Sequence, residues 1–184
     1  MLDATNLPIA LENTRLRLLS ELDADAYAAG TKDEAVRRFA HLPEPDYTPE
    51  SVRRMICDEV ATGLSSGTLA VLALADAETD RFVGSVVLFD VCSEAAEVGF
   101  WIHPGARGEG HAHRGLELAS RFARNSGLRT LTARTLPKNK ASQHCLTTAG
   151  FRETGRGVGT TPAGQRGESV SYTHLRAHET DSYL

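Results

Sequence analysis

A glycine-rich turn between a strand-like and a helix-like segment could bind phosphate. The turn runs from Arg107 to Ala112 and contains Gly108 and Gly110, and the segment that follows it is amphipathic. The first backbone N–H groups of a helix have no partner within the helix and lie at the positive end of its dipole. Glycine lets the backbone approach a ligand closely, and Arg107 could add a charge-assisted contact. Spacing alone leaves two interpretations equal, a pyrophosphate cradle and an ordinary tight turn.

A carboxylate lies on the strand-like segment before this turn. Glu97 alternates with Val98 and Phe100, so its side chain lies on the opposite face of a strand. A carboxylate in such a position can accept the proton that an amine must lose before it attacks a carbonyl carbon. Glu97 is therefore a candidate general base. A strand glutamate that merely faces solvent is an equally good interpretation.

The elements that must position these residues follow from the hydrophobic pattern. Alternating or continuous apolar residues predict strands over 14–19, 69–75, 82–91, 97–102, 131–135 and 151–156. Capping signals and helical spacing predict helices over 23–30, 33–40, 48–63, 110–124 and 139–148. The glycine-rich segment 157–167 predicts a loop. This order is typical of an α/β fold with a mixed, mostly antiparallel central sheet flanked by helices.

Composition argues against several kinds of partner. The chain has 184 residues and a net charge of −4, which predicts one domain with no general basic surface for nucleic acid or a membrane. The three cysteines have no metal-binding spacing and predict reduced thiols in the cytoplasm. His111 and His113 are two residues apart and would not share a helix face, so we expect no metal.

Two blocks of the sequence resemble the GNAT superfamily of acyl-CoA-dependent N-acyltransferases. Arg107, Gly110 and Ala112 match its Q/R-x-x-G-x-G/A signature, and residues 96–102 resemble the fourth strand of that fold. A later block, residues 139–151, resembles the N-x-x-S…G-F helix of the branch with the RimJ/RimL-type ribosomal-protein alanine acetyltransferases. The resemblance covers roughly residues 13–168 and contains both blocks in the expected order.

The resemblance implies that acetyl-CoA inserts between two central strands that splay apart. Backbone groups of Phe100, Trp101 and Ile102 would hydrogen-bond its pantetheine chain, although a core role for the Trp101 ring is equally compatible. Amides of the turn would hold the pyrophosphate; the turn residues are Arg107, Gly108, Glu109, Gly110, His111 and Ala112. Asn139 would orient the cofactor or only cap its helix, and Ser142 would hydrogen-bond the departing thiolate.

The function implied is transfer of an acetyl group from acetyl-CoA to a primary amine. The acceptor would be a protein N-terminus or a small molecule, and the enzyme a monomer or homodimer. Glu97 and Ser142 are the expected catalytic residues. Leu146 stands where many family members carry a tyrosine general acid, so the acid stays open. A non-catalytic acyl-CoA-binding or sensing module is the alternative, and such a module would not need Glu97.

The two ends of the chain are expected to lie outside the acetyltransferase domain. Residues 1–12 show no period and predict a flexible lead-in, and the domain itself is expected over residues 13–169. Residues 170–184 resemble the translation of a sequencing-library adapter, so we expect the last strand of the sheet to be missing or replaced. A natural strand and tail is the alternative.

Overall fold

Residues 2–40, 42–160 and 166–175, which this computed structural model describes, form eight strands and six α-helices. The strands are β1 (Ile9–Leu11), β2 (Thr14–Leu18), β3 (Ala70–Asp76), β4 (Phe82–Phe89), β5 (Ala95–Ile102), β6 (Thr130–Thr135), β7 (Arg152–Thr160) and β8 (Arg166–Leu175). The helices are α1 (Ala24–Thr31), α2 (Glu34–Phe39), α3 (Pro49–Met55), α4 (Ala61–Ser66), α5 (His111–Asn125) and α6 (Lys140–Thr148). A π-helical segment, Ile56–Val60, joins α3 to α4.

The strands form one sheet in the order β1-β2-β3-β4-β5-β6-β8-β7. All neighbours are antiparallel except β5 and β6, which run parallel. The β5–β6 register covers three pairs and ends at Glu97 opposite Thr132, although β5 continues to Ile102 and β6 to Thr135. Within the described residues the two strands therefore separate in the middle of the sheet. The predicted mixed, mostly antiparallel α/β fold is confirmed.

Each face of the sheet carries its own core. On one face, α5 packs its apolar stripe, including Leu116 and Phe122, against Val86 and Val98. On the other face, α1 and α3 cover an aromatic cluster in which Tyr27 lies between Tyr47 and Trp101, at ring-centroid distances of 5.6 Å and 5.1 Å. Every helix in the described part of the chain is too short or too polar to cross a membrane.

Local signals place most helix starts where the sequence predicts them. Thr48 caps α3 by accepting a hydrogen bond from the Ser51 N–H at 3.2 Å, and Pro49 occupies the first helical position. Asn139 caps α6 by accepting from the Ser142 N–H at 3.1 Å. These side chains satisfy backbone donors that the first turn of a helix leaves without partners.

Two predictions near the N-terminal half are wrong. Residues 2–11 contain the short strand β1 and a buried Leu2, where the sequence predicts a flexible lead-in. The helix predicted to end near Gly63 continues to Ser66 and stops at Gly67, which has a left-handed φ of 70°. A Cβ at Gly63 would lie 2.5 Å from the Leu69 Cβ, so that glycine permits close packing and does not end the helix.

Two strands, β7 and β8, occupy the described part of the region where the sequence predicts a glycine-rich loop and a last strand that is missing or replaced. β7 and β8 pair with each other, and β8 lies between β7 and β6. Val170 and Tyr172 are buried in the core, because the segment alternates large and small residues with the period of a strand. The adapter-like segment 170–175 thus fills the last-strand position, while residues 161–165 and 176–184 lie outside the described residues.

Candidate functional site

A cleft of about 1340 Å³ opens where β5 and β6 separate. Its walls are the two strands, the turn before α5 and the start of α6, and one end is covered by α2 and α3. It brings together nearly all the site residues that the sequence predicts: Glu97, Phe100, Trp101, Ile102, Arg107, Gly108, Gly110, His111, Ala112, Asn139 and Ser142. Glu109 is not among the residues that line it.

Among the residues that the structure describes, no strand pairs with the edge of β5 that faces the cleft beyond Glu97. The carbonyls of Glu94 and Ala96 face β6, where they accept hydrogen bonds from the Thr130 N–H (3.0 Å) and the Thr132 hydroxyl (3.4 Å). Strand backbones alternate, so Phe100 and Ile102 direct their N–H and C=O groups to the same side, beyond the point where β6 has separated. An extended ligand with amide groups could take the place of β6 there.

Trp101 does not belong to this open edge. Its carbonyl oxygen lies against Gly84 on β4, and its ring packs on Tyr27 and Phe82. The expectation that its backbone hydrogen-bonds the cofactor is therefore not met by the geometry. The alternative that the sequence left open, a core aromatic, describes this side chain.

The turn before α5 presents a row of free amides. Gly110 caps the helix with a left-handed φ of 81°, and Gly108 has a φ of 84°. Within the described part of the chain, no group accepts a hydrogen bond from the backbone N–H groups of residues 108–113. These donors lie at the positive end of a helix of fifteen residues. The arrangement suits a phosphate-bearing ligand.

A side-chain network that sequence spacing did not reveal fixes this turn to β2. Arg114 donates from Nε to the Thr14 hydroxyl (3.1 Å), from Nη1 to Glu12 (3.0 Å) and from Nη2 to the Glu109 carbonyl. The buried His111 lies 2.8 Å from the same hydroxyl through Nδ1 and 3.3 Å from the Glu109 carboxylate through Nε2. The contacts with Thr14 and Glu12 join residues about a hundred positions apart in the chain, so no local signal could have identified them.

Arg107 lines the cleft but already has an acidic partner. Its guanidinium contacts Asp33 at 2.6 Å and 3.4 Å, and Asp33 in turn caps α2. The hydrogen bonds from Arg107 lower the pKa of Asp33 below its ordinary value. The ion pair of Arg107 with Asp33 connects the turn to α2. The phosphate contact that the sequence predicts would then come from the backbone amides of the turn and not from the guanidinium.

Glu97 lies on the floor of the cleft, where β5 and β6 part. Its side chain is 12% exposed, and Arg134 of β6 donates to both carboxylate oxygens at 2.9 Å. The solvent-facing interpretation of Glu97 is therefore wrong. The carboxylate is close to the cleft and is held by a guanidinium.

Ser142 lies at the third position of α6 and lines the cleft. Among the described residues its hydroxyl has no hydrogen-bond partner, which leaves the group available to a ligand. Leu146 is buried in the core and cannot supply a proton. Burial raises the pKa of the neighbouring Cys145 thiol, which disfavours the thiolate that a nucleophilic cysteine requires.

Fold and site together have the geometry that suits an extended, phosphate-bearing ligand between two separated strands. The sequence matches the acetyltransferase (GNAT) domain over residues 13–152, well over half of the chain, and the chain belongs to this family. The predicted enzyme class, an acyltransferase, is confirmed with it. No curated protein matches the sequence.

Solved structures share the fold at low sequence identity. The ribosomal-protein-S5-alanine acetyltransferase of Vibrio fischeri is 16% identical with a TM-score of 0.78, covering 94% of this chain and 98% of that one. Mycobacterium smegmatis RimJ in complex with CoA-disulfide is 19% identical (TM-score 0.74; 91% and 84% covered). The microcin C7 self-immunity acetyltransferase MccE, in complex with acetyl-CoA and AMP, is 14% identical (TM-score 0.76; 90% and 94% covered).

Proposed function

We propose that this protein transfers an acetyl group from acetyl-CoA to a primary amine. The single observation that carries the proposal is one cleft in which an open strand edge, a row of free amides and a carboxylate converge. Family membership supports acyl transfer, and the complexes of RimJ with CoA-disulfide and of MccE with acetyl-CoA support this donor.

The donor would lie along the separated strands. The free amides of residues 108–112 would bind its pyrophosphate, and the open edge at Phe100 and Ile102 would pair with the amide groups of the pantetheine chain. This placement directs the thioester toward Glu97 and Ser142 at the point where the strands part. Holding both reactants in one cleft lowers the entropic part of the barrier.

The reaction needs no covalent enzyme intermediate. An ammonium acceptor first loses one proton to Glu97, directly or through water, and Glu97 passes this proton to solvent; the nitrogen lone pair of the neutral amine then attacks the thioester carbonyl carbon. As the tetrahedral intermediate collapses, the C–S bond breaks and its electron pair leaves on the CoA sulfur. Glu97, directly or through water, accepts a proton from the nitrogen, while the Ser142 hydroxyl hydrogen-bonds the departing sulfur, which leaves as thiolate or takes a proton.

The acceptor is proposed to be a protein N-terminus or a small-molecule amine. The likeness to the S5-alanine acetyltransferase and to RimJ supports the first, and the likeness to MccE supports the second. We expect the cytoplasm as the compartment and a monomer or homodimer as the assembly, as the sequence predicts.

One observation favours a non-catalytic acyl-CoA-binding module as the second candidate. Both oxygens of Glu97 are engaged by Arg134, so the only acidic group predicted to act as base is already in an ion pair. Such a module would keep the free amides of the turn and would not consume acetyl-CoA.

Replacing Glu97 with Gln separates the two functions. For an enzyme we expect kcat to fall about 100-fold or more while acetyl-CoA affinity is preserved, because the carboxylate acts on the acceptor proton. Thiol release on panels of N-terminal peptides and small amines gives the rate, with mass spectrometry of the acceptor, and titration calorimetry gives the affinity. Glu94→Gln is the matched control, since Glu94 forms a pair with Arg129 outside the cleft, at 3.6 Å.

One result would reject the proposed activity, and another would reject only the role of Glu97. Acetyl-CoA binding without turnover on any amine panel would favour the binding module. Loss of CoA affinity in Glu97→Gln, with Glu94→Gln unaffected, would place Glu97 in donor binding and remove it as the base.

A further inference from the structure

An ion pair between Glu97 and Arg134 connects the two strands of the cleft beyond the end of their ladder. Arg134 of β6 donates from Nε to both Glu97 oxygens at 2.9 Å, and its Nη2 lies 2.9 Å from Oε2. A planar guanidinium that binds a carboxylate through two nitrogens fixes its orientation as well as its position.

The position of the pair in the sheet matters as much as its geometry. Glu97 is opposite Thr132 in the last pair of the β5–β6 register, and Arg134 follows two residues later on the same face of β6. The contact therefore forms just beyond the last β5–β6 residue pair, at the inner end of the cleft. Asp90 lies 4.0 Å from the same guanidinium and adds negative charge on the solvent side.

Arg134 places a permanent positive charge beside the Glu97 carboxylate. Its side chain is 33% exposed, compared with 12% for Glu97, so water reaches the cation while the carboxylate is enclosed. Hydrogen bonds to Glu97 raise the pKa of the Arg134 guanidinium, which remains charged at any working pH. Without Arg134, the Glu97 side chain would sample several rotamers, and its carboxylate would not keep one orientation toward the acceptor.

We propose that Arg134 is a positioning residue that orients Glu97 toward the acceptor amine. This inference rests on the proposed function, in which Glu97 accepts the amine proton. Arg134 does not touch the reacting atoms in this arrangement, and its effect on the rate passes entirely through Glu97. Both residues should therefore behave as one functional unit.

A double-mutant cycle tests this dependence. Arg134→Gln should lower kcat for amine acetylation by about 10- to 100-fold, since a misplaced base costs a rate factor of that order. Arg134→Lys should recover part of the loss, because the charge returns without the planar fork. In the Glu97→Gln background, Arg134→Gln should cause no further fall in kcat, and acetyl-CoA affinity should change by less than about twofold in all variants.

The outcomes separate failure of this inference from failure of the proposed function. Equal losses from Arg134→Gln with and without Glu97 would overturn the inference and assign Arg134 a direct contact with the acceptor. A loss of acetyl-CoA affinity in Arg134→Gln would also overturn it. An inactive wild-type chain that binds CoA would instead reject the proposed function.

Arg121→Gln controls for the loss of an ion pair as such. Arg121 contacts Glu117 at 2.6 Å on α5, outside the cleft lining, and the variant should keep the wild-type rate. Thermal unfolding of each variant shows whether the fold is kept. If Arg134→Gln were unstable, the cycle would be repeated with Arg134→Lys. Its effect on kcat in the wild-type and Glu97→Gln backgrounds would still show whether Arg134 acts through Glu97.

Discussion

At the scale of single residues, Gly110 determines the shape of the turn before α5. It has a left-handed φ of 81°, and a Cβ at this position would lie 2.7 Å from Nη2 of Arg114. That guanidinium holds the Glu109 carbonyl and connects the turn to Thr14. A side chain at residue 110 would therefore both strain the backbone and displace the arginine that fixes the free amides.

Gly110→Ala should weaken CoA binding about tenfold, which corresponds to a loss of about 1.4 kcal/mol. Titration calorimetry with CoA measures the effect, alongside the free energy of unfolding. Gly127→Ala is the matched control, because Gly127 has a similar φ of 87° at the other end of α5 but open space around its Cβ position. The control should lose about 1 kcal/mol of stability and no CoA affinity. Equal CoA affinity in both variants would contradict the role given to the turn.

At the scale of secondary-structure elements, the entry to α1 depends on a buried ion pair. Arg17 of β2 contacts Asp23 at 2.7 Å and 2.8 Å, and Asp23 also accepts a hydrogen bond from the Ser20 N–H at 2.9 Å. Burial alone would raise the pKa of Asp23, but the hydrogen bonds from Arg17 and Ser20 outweigh it and lower the pKa. This pair fixes the 3-10 turn Glu21–Asp23 that directs α1 over the aromatic core.

Asp23→Asn should reduce the free energy of unfolding by about 2 kcal/mol at neutral pH, since it removes the buried carboxylate from Arg17 and leaves only the half-exposed Asp80, at 3.1 Å, as its acidic partner. A carboxylate with a lowered pKa in the folded state stabilises the protein above its unfolded pKa, near 4, and loses this effect as pH falls. The difference between wild type and variant should therefore be complete at pH 7 and shrink below about pH 4.

Urea denaturation at several pH values measures this difference. Asp25→Asn serves as control, because Asp25 is 74% exposed in its contact with Arg53 and should change stability by less than about 0.5 kcal/mol. A stability difference for Asp23→Asn that does not depend on pH would show that the pair acts through packing and not through charge.

The sequence predicted elements wherever a local signal specifies them. The alternation in β5, the Thr48 and Asn139 caps and the amphipathic α5 each depend on residues close together in the chain. The strand β1 has only three residues, too few to show a period. The glycines of segment 157–167 indicated a loop by composition. They are nevertheless compatible with β7 and β8, because strand pairing uses backbone groups.

The site was predictable in its backbone part and not in its side-chain part. A glycine turn before a helix indicates free amides from spacing alone, and the structure has this arrangement at residues 108–113. The contact of Arg134 with Glu97 joins residues 37 positions apart, and that of Arg114 with Thr14 joins residues 100 positions apart. No local sequence pattern predicts either contact. The first pair follows from the register of β5 and β6 and the second from the packing of α5 on β2, and the sequence specifies neither directly.

At the scale of the whole molecule, β8 closes the sheet between β6 and β7. Tyr172 is 2% exposed and contributes to the same core as α5. Tyr172→Ala should therefore reduce the free energy of unfolding by about 3 kcal/mol. Thr173→Ala, on the opposite face of the strand, should have a much smaller effect. Chemical denaturation of both variants measures this, and equal effects would show that β8 does not depend on the burial of its side chains.

Because 170–175 form part of this strand, the residues that resemble an adapter bear directly on stability. We expect the residues that follow Ser169 in the native gene to differ from this run while preserving buried apolar side chains at 170 and 172. Sequencing the locus from native DNA checks this expectation. The same run continuing uninterrupted there would show that the segment is natural.

The separation of β5 from β6 also affects which molecules can reach an unpaired strand. An exposed edge at the perimeter of a sheet can recruit any extended polypeptide, including another copy of itself, and so promotes aggregation. Here the vacant edge lies inside the sheet, with a strand on either side. Another strand can reach this edge only by entering the cleft between β5 and β6, whereas an edge at the perimeter can be approached from the side. The position of the unpaired edge thus disfavours edge-to-edge pairing between copies of the chain.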